Sequence, residues 1–562
     1  MMRNKRTVAV TAIAISVALG ATACGGSKPS NANGSAAGAT GTKISGGTLY
    51  YYAPSDFNHI DPQRTYTTQG MNIDQELVRT LTGWSQTPGG GAPKLVGDLA
   101  TDTGTASNDD KTWTFHIRPG VKWQDGTAVT SYDVKYGVER AASPDITGGT
   151  TYWQWLVGSA NYKGPYQGAS LPSIETPDAS TIIFQLSSSQ AQFPEAAAMD
   201  TFAAVPKAKD TGSNYDTNLQ SDGPYEIKSY THSKEMVLVK NPYWSAATDP
   251  MRAQNVDEID IKMGEDQASI DQLMKADQGQ AQDAVIEDPI AGTDLTPFSM
   301  DPTLKSRMHN IPAPGVDYIA MNTTTIKNVK VREAIGDAIN KETYRGAMGG
   351  SAYGDIATSF LPTGTPGRIA YNPYSNTGTG NVAAAKALMA QAGVSTLTLS
   401  LAVEDTPTME KAADSIKDSL SQIGITVNIK PIDRGSYFNN IGDKSNNYDL
   451  IWSDWFADWP SAQTIDPILL DGRQIQAQGN NDYSLLNDKT ANSMLDAAAA
   501  LTDPTAQANA YAAADKYIFT TDYPLVPLTY RNQTEMSGSK VGGLSEDTII
   551  GELDLTHVYL TK

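Results

Sequence analysis

Apolar positions along this chain follow several different spacings, and each change of spacing marks a predicted element. Near the start, Val8 to Leu19 is a short, almost unbroken apolar run. It follows the basic residues Arg3, Lys5 and Arg6 and ends at the small residues Ala21-Thr22-Ala23. A basic head, an apolar middle and a small-residue end are the order of a secretory signal. A permanent membrane span needs about 20 apolar residues, more than this run offers. Gly25 to Thr42 is then rich in Gly, Ser, Ala and Asn, the composition of a flexible tether.

The body opens with a strand over Gly47 to Ala53 and an irregular stretch from Asp56 to Gln69. Trp113, Phe115 and Ile117 alternate with polar neighbours, as a half-buried strand does. Arg118-Pro119-Gly120 and Asp125-Gly126 mark tight turns. A helix then starts at Thr130, with Asp133 as the acidic partner of a capping box and Val129 and Val134 at the staple positions. It is expected to run to about Ala142. Lys327 to Met348 reads as one amphipathic helix, with Val331, Ile335, Ala338 and Ile339 on its buried side. Further on, Leu397, Leu399 and Leu401 make a strand. Thr406-Pro407 opens a helix with proline at its first position. Met409, Ala413, Ile416, Leu420 and Ile423 share one face of it, and Gly424 ends it. Ile425, Val427 and Ile429 form the next strand. Strand, helix and strand with short joins predict a parallel pair with a right-handed crossover. The class is α/β, with at least two lobes.

Composition narrows the function. The 562 residues suffice for more than one domain, and 40% are apolar. The formal charge is −20, and loss of Arg3, Lys5 and Arg6 with the signal takes it to −23. Such a surface argues against nucleic acid or an anionic membrane surface as partner. The one cysteine, Cys24, directly follows Ala21-Thr22-Ala23. That is where a lipid joins an exported protein, although the usual Leu of a lipobox is Ala21 here. With Cys24 acylated, no thiol remains for a disulfide, a nucleophile or a zinc–thiolate site. The five histidines, His59, His116, His232, His309 and His557, are scattered. No metal and no cofactor are therefore expected.

The sequence holds no His-Glu-x-x-His, no Gly-x-Ser-x-Gly and no phosphate loop. Ser537-Gly538-Ser539-Lys540 has the Ser-x-x-Lys spacing. It follows the proline-punctuated stretch Asp522 to Pro527 rather than heading an apolar helix. Asp109-Asp110 and Glu546-Asp547 read as solvated loop charges, and Asp301-Pro302 and Asp466-Pro467 as turns. No enzyme is expected. Aromatic residues stand out instead: Tyr outnumbers Phe by 26 to 10, beside 9 Trp. Tyr and Trp suit wet recognition sites. Trp452, Asp454, Trp455, Phe456, Asp458, Trp459 and Pro460 follow one another within a few residues, just after the strand-like Tyr448 to Ile451. An acid among aromatic faces is a favourable place for a cation such as a peptide amine.

These motifs carry a resemblance. Asp109 to Arg140 (DDKTWTFHIRPGVKWQDGTAVTSYDVKYGVER) is similar to the signature of the oligopeptide, dipeptide and nickel solute-binding proteins, bacterial extracellular family 5. Gly223-Pro224-Tyr225, Val237 to Trp244 (VLVKNPYW), Asn322 in YIAMNTT, Val329 to Lys341 (VKVREAIGDAINK) and Ser419 to Val427 (SLSQIGITV) follow in the family's order. The resemblance covers roughly Gly46 to Leu544.

It implies a two-lobed fold of the periplasmic-binding-protein type (class II), with an extra subdomain in lobe one. The implied division is a signal peptide (1–23), a lipid-anchored linker (24–43), and lobe one in three parts (44–80, 206–312, 526–562). The subdomain spans 81–205 and lobe two 313–525. The chain would cross between lobes near Ala313-Pro314-Gly315 and return near Pro524 to Pro527. The resemblance further implies a peptide or other small polar ligand, and ABC permease subunits with cytoplasmic ATPase subunits as partners. It also implies a monomer outside the cell membrane, held there by the lipid on Cys24. Asp458 matches the family's amine anchor. Trp455, Trp459, Tyr437, Tyr66, Thr68 and Tyr530 resemble ligand contacts. Some oligopeptide binders carry an arginine six residues before the aspartate. Here Trp452 stands there, which leaves a carboxylate to another cation such as Arg434. A sugar or other polar solute remains an alternative cargo, and an extracellular hydrolase or a signalling receptor the alternative roles. Asp458 could also simply cap a turn before Pro460.

Overall fold

The computed structural model describes residues 41–86 and 93–562. The expected signal, Cys24 and nearly all of the expected tether lie outside the described residues. Three hydrophobic cores sit beneath three main sheets. The first sheet has five strands: Ala284–Ile286, Thr48–Ala53, Glu258–Met263, Glu235–Lys240 and Tyr225–Thr231, in spatial order. Its core gathers Leu49, Tyr51, Ile259, Ile261 and Val285. The second sheet has four strands between Thr105 and Gln185, over Trp113, Phe115, Ile182, Phe184 and Phe193. The third has six strands, in the order Gly354–Ile356, Leu525–Met536, Met308–Met321, Leu450–Phe456, Leu397–Glu404 and Ile425–Ile432. The molecule is a two-lobed α/β protein, with the four-stranded sheet as an extra subdomain of lobe one. Among the described residues no helix is long and apolar enough to cross a membrane.

Local sequence explains these elements. Thr130 and Asp133 form the reciprocal capping box, with Asp133 Oδ2 accepting from Thr130 N at 2.8 Å, and the helix covers Ser131–Arg140. Leu397–Glu404 and Ile425–Ile432 pair in parallel across the helix Pro407–Ser421. Gly424, at φ +84°, closes that crossover, and a Cβ there would come within 2.4 Å of the Ser395 carbonyl oxygen. Only glycine meets both demands without strain.

Three expectations need correction. Lys327 to Met348 is two helices, Val329–Ala338 and Lys341–Met348. Ile339 turns extended, and the Asn340 side chain caps the second helix at Thr343 N, which breaks the apolar stripe. Asp301 and Asp466 stand at helix starts rather than in simple turns: Asp301 caps Pro302–Lys305, and Asp466 opens Asp466–Leu470. Asp547 is no solvated loop charge. It is buried on the strand Ser545–Asp547, and burial pushes its carboxyl up to about 7.

Two long strands tie the lobes together. Met308–Met321 and Leu525–Met536 run antiparallel from Met308 opposite Met536 to Ala320 opposite Leu525. Their register shifts between Pro312 and Val316, where the prolines Pro312 and Pro314 interrupt the ladder. Proline supplies no N–H to a ladder and loosens it locally.

Candidate ligand-binding cleft

The Trp-rich segment gets its shape from the end of a strand. Leu450–Phe456 pairs with Met308–Met321, Phe456 standing opposite Gly315. The chain then leaves the sheet, with Ala457 N donating to Pro314 O at 3.1 Å. Trp455 is half-buried and fixes the following turn, its Nε1 donating to Thr464 O at 2.8 Å. Asp458 is thereby presented across the gap to lobe one.

Lobe one meets it with an equally constrained segment. Arg140, the last residue of the signature stretch, grips both carboxylate oxygens of Asp61 at 2.6 Å. Both side chains are fully buried, and such a bidentate pair fixes orientation as well as charge. It anchors the segment that carries Tyr66. Thr67 then caps the helix Thr68–Leu77, accepting from Gly70 N. The Tyr66 hydroxyl lies 3.1 Å from both oxygens of Asp458. The Tyr152 hydroxyl, from the subdomain, donates to Asp458 Oδ2. Tyr66 packs edge-on against Trp455 at 6.1 Å, and Tyr152 packs against Trp459 at 4.9 Å between ring centroids.

Asp458 thus sits where both lobes and the subdomain converge. Burial pushes its carboxyl up to about 7, while the hydrogen bonds from Tyr152 and Tyr66 pull it back. It accepts from these two hydroxyls and from no backbone N–H, so it caps no turn before Pro460. Its hydroxyl donors stabilise the ionised form, yet no cation stands beside it among the described residues. The contact between the subdomain and lobe two continues through Gln192 with Gln507 at 2.7 Å and Gln190 with Gln463 at 2.8 Å. Trp459 reaches Gln192 and packs in the subdomain's own core.

The other expected residues are placed differently. Tyr437 lies in the core under the six-stranded sheet, fully buried, its hydroxyl spent on the carbonyls of Ala402 and Trp452. It is not on the cleft wall. Trp452 is also buried and donates to the Tyr344 hydroxyl at 2.8 Å. Tyr530 is half-buried and binds protein groups: it donates to Ser359 O and accepts from Arg368 Nη2, each at 2.8 Å. Thr68 lies beside the buried Glu552. Arg434 bridges the lobes, its Nη1 lying 2.5 Å from Asp288. Tyr152, Gln190 and Gln192 escaped the sequence reading. They sit on short turns with no periodic pattern, and only the fold carries Tyr152 to Asp458 and the two glutamines to Trp459, Gln463 and Gln507.

The sequence profile of the bacterial extracellular solute-binding proteins, family 5 (middle region), matches residues 94–475. The chain is 23% identical over 477 residues to a probable D,D-dipeptide-binding periplasmic protein of Escherichia coli K12, covering 83% of this chain and 85% of that one. A murein peptide-binding protein of the same organism is 24% identical over 434 residues, or 73% of this chain and 75% of that one. A solved structure of a clavulanic acid biosynthesis oligopeptide binding protein superposes with a TM-score of 0.84 at 28% identity, over 94% of this chain and 98% of that one. The chain belongs to the bacterial extracellular solute-binding proteins of family 5.

Proposed function

We propose that this protein is the substrate-binding component of an ABC importer and captures peptides by their free amino end in the cleft between its lobes. One observation carries the reading: Asp458, a half-buried carboxylate with hydroxyl donors from lobe one and the subdomain, has an environment that an ammonium group would complete. The similar proteins named for dipeptides, murein peptides and oligopeptides support the choice of peptide. The peptide would enter between open lobes, which then close about the strands near Pro314 and Pro524. Closed, the complex would be handed to permease subunits driven by cytoplasmic ATPases. The protein would act as a monomer, held outside the cell membrane by a lipid on Cys24. The division into lobes at 313 and 525 belongs to this proposal.

Calorimetry on Asp458→Asn tests it. Removing one member of a desolvated charge pair costs about 2–5 kcal/mol, which is roughly thirtyfold to several-thousandfold in affinity. A free-amine peptide should lose that much, while its N-acetylated form, weak on the wild type, should be indifferent to the change. Equal affinity of both proteins for the free-amine peptide would remove the amine anchor. The anchor on Cys24 is tested apart from this, by fractionating cells that express Cys24→Ser. Export without membrane retention is expected, and unchanged retention would contradict it.

A further inference from the structure

We propose that the cleft holds a second subsite, for a positively charged ligand side chain, where Glu404 of lobe two and Glu287 and Asp288 of lobe one gather around Arg434. This rests on the peptide reading above and names the ligand class: peptides carrying a guanidinium or ammonium group in addition to the amino end.

The charges in this region do not balance. Glu404 ends the strand Leu397–Glu404, and its charged neighbours are Arg434, Asp454, Asp288 and Arg531. Arg434 is already paired with Asp288, and Arg531 with Asp454 at 2.5 Å. Asp317, fully buried, also leans on Arg531, at 3.6 Å, and accepts from the Tyr344, Tyr353 and Thr529 hydroxyls. With both arginines so engaged, the carboxyl groups of Glu404 and Glu287 have no ion pair and no hydrogen bond among the described residues. Glu404 is only part-covered, so its carboxyl group is within reach of a ligand.

A second observation is independent of this count. Behind Glu287 and Asp288 lie Glu535 and Glu552, the Tyr51 hydroxyl and Asn72, each almost wholly buried. Tyr51 Oη, Asn72 Oδ1, Glu535 Oε1 and both carboxylate oxygens of Glu552 make no hydrogen bond of good geometry, although Asn72 lies beside Tyr51, and Thr68 and Glu535 lie beside Glu552. Tyr51 stands in the field of Glu287, Glu552 and Glu535 together. Buried polar atoms are almost always satisfied, and clustered exceptions call for an explanation. Here every group in the cluster except Tyr51, Asn72 and Thr68 is an acid, and these three cannot balance the negative charge, so the completing group is a cation or protons. Burial pushes Glu404 up to about 7 and Glu552 up to about 8, and holds Glu287 and Glu535 well above the usual range. Protons therefore fill the role near neutrality, and a ligand cation would displace them.

Arg434 shows that the region accepts a guanidinium. It reaches in from lobe two, with Asp288, Glu404 and Glu287 as its acidic neighbours. Its own side chain remains 38% exposed, and it leaves Glu404 partly open while Glu287 stays buried behind.

Calorimetry with tetra-alanine and with its variants carrying arginine or citrulline at the second, third or fourth position tests the subsite. Citrulline keeps the shape and removes the charge. A hydrogen-bonded charge in a buried site corresponds to about tenfold or more in affinity. At one position arginine should exceed citrulline by at least that factor at pH 7.5, with protons released, seen as an enthalpy that varies with the buffer. Glu404→Gln should erase most of this preference and leave tetra-alanine affinity unchanged. Should that variant fail to fold, the arginine and citrulline comparison on the wild type decides alone. Tetra-alanine binding with no preference for arginine at any position would overturn the subsite and spare the peptide reading. No binding of any of these peptides would overturn both.

Discussion

Around Asp458, a single carboxylate is met by two tyrosine hydroxyls, each ring packed on a tryptophan; around Glu404, carboxyls outnumber arginines and several buried polar atoms make no hydrogen bond of good geometry. The first region is drawn largely from one stretch of nine residues, Trp452 to Pro460, completed by Tyr66 and Tyr152. The second is assembled from strand ends at Glu287, Glu404, Glu535 and Glu552, with Arg531 from the middle of Leu525–Met536. The difference is one of demand. A site for one fixed group, an amino end, can be held by a locally rigid frame of aromatic faces and hydrogen bonds. A site for a mobile side-chain charge needs excess charge of one sign, gathered from wherever the fold brings strand ends together.

The comparison breaks most sharply at Trp459. Its ring is nearly inaccessible and packs in the subdomain core although the residue belongs to lobe two. Trp459→Ala removes a buried aromatic, a change that typically costs about 3–5 kcal/mol. Here the loss should fall on the closed form: peptide affinity drops at least a hundredfold, while thermal stability of the ligand-free protein falls less than for a core residue of one lobe. Calorimetry and thermal denaturation read the two together. Equal losses in both would mean that Trp459 supports the fold and not closure.

Tyr152→Phe and Tyr66→Phe each remove one hydroxyl donor to Asp458. Hydrogen bonds to charged groups contribute about 1.5–3 kcal/mol, so each change should weaken free-amine peptides roughly tenfold to a hundredfold. Affinity for an N-acetylated peptide should stay level. If both forms weaken alike, the tyrosines shape the cleft rather than the charge of Asp458.

Protonation sharpens the contrast further. Burial pushes Glu404 and Asp458 to about 7 and Glu552 to about 8, above the roughly 4 expected in an unfolded chain. The fold therefore binds more protons than the unfolded chain between these values. Stability from these groups is full below about pH 4 and is lost as pH rises through 7 to 8. The melting temperature of the free protein should fall by several degrees from pH 5 to pH 8. A bound arginine peptide should flatten that slope, because it takes the place of the protons. A slope that steepens with peptide would contradict the acidic subsite.

The smallest effect is expected at Arg434. Its pair with Asp288 is partly exposed, and such pairs contribute about 0–1 kcal/mol. Arg434→Gln should leave stability nearly unchanged and strengthen binding of arginine peptides a fewfold, since it frees acidic charge. Weaker binding would mean that Arg434 acts as a clasp between the lobes.

This contrast also sets what was legible in the sequence. The capping box at Thr130 and Asp133 and the crossover from Leu397 to Ile429 were legible because caps and periodicity are local. Asp458 with Trp455 and Trp459 was legible for the same reason, as a cluster in one short stretch. Tyr437 was misplaced because nothing local distinguishes a tyrosine whose hydroxyl meets backbone carbonyls in a core from one on a cleft wall. The break between Ala338 and Lys341 was missed because Ile339 continues the apolar stripe while Asn340, as a cap, ends the helix. Glu404, Arg531 and Glu552 could not be grouped at all. Their proximity comes from the long strands that join the lobes and from tertiary pairing across more than one sheet.

A crystal structure of the protein with a bound free-amine peptide bears most directly on the central claim. The ligand's amino nitrogen should lie about 2.8 Å from an Asp458 carboxylate oxygen, with Tyr66 and Tyr152 still bonded to that carboxylate and the lobes closed. A peptide seated with its amino end elsewhere, and Asp458 still bonded only to the two tyrosines, would contradict the account.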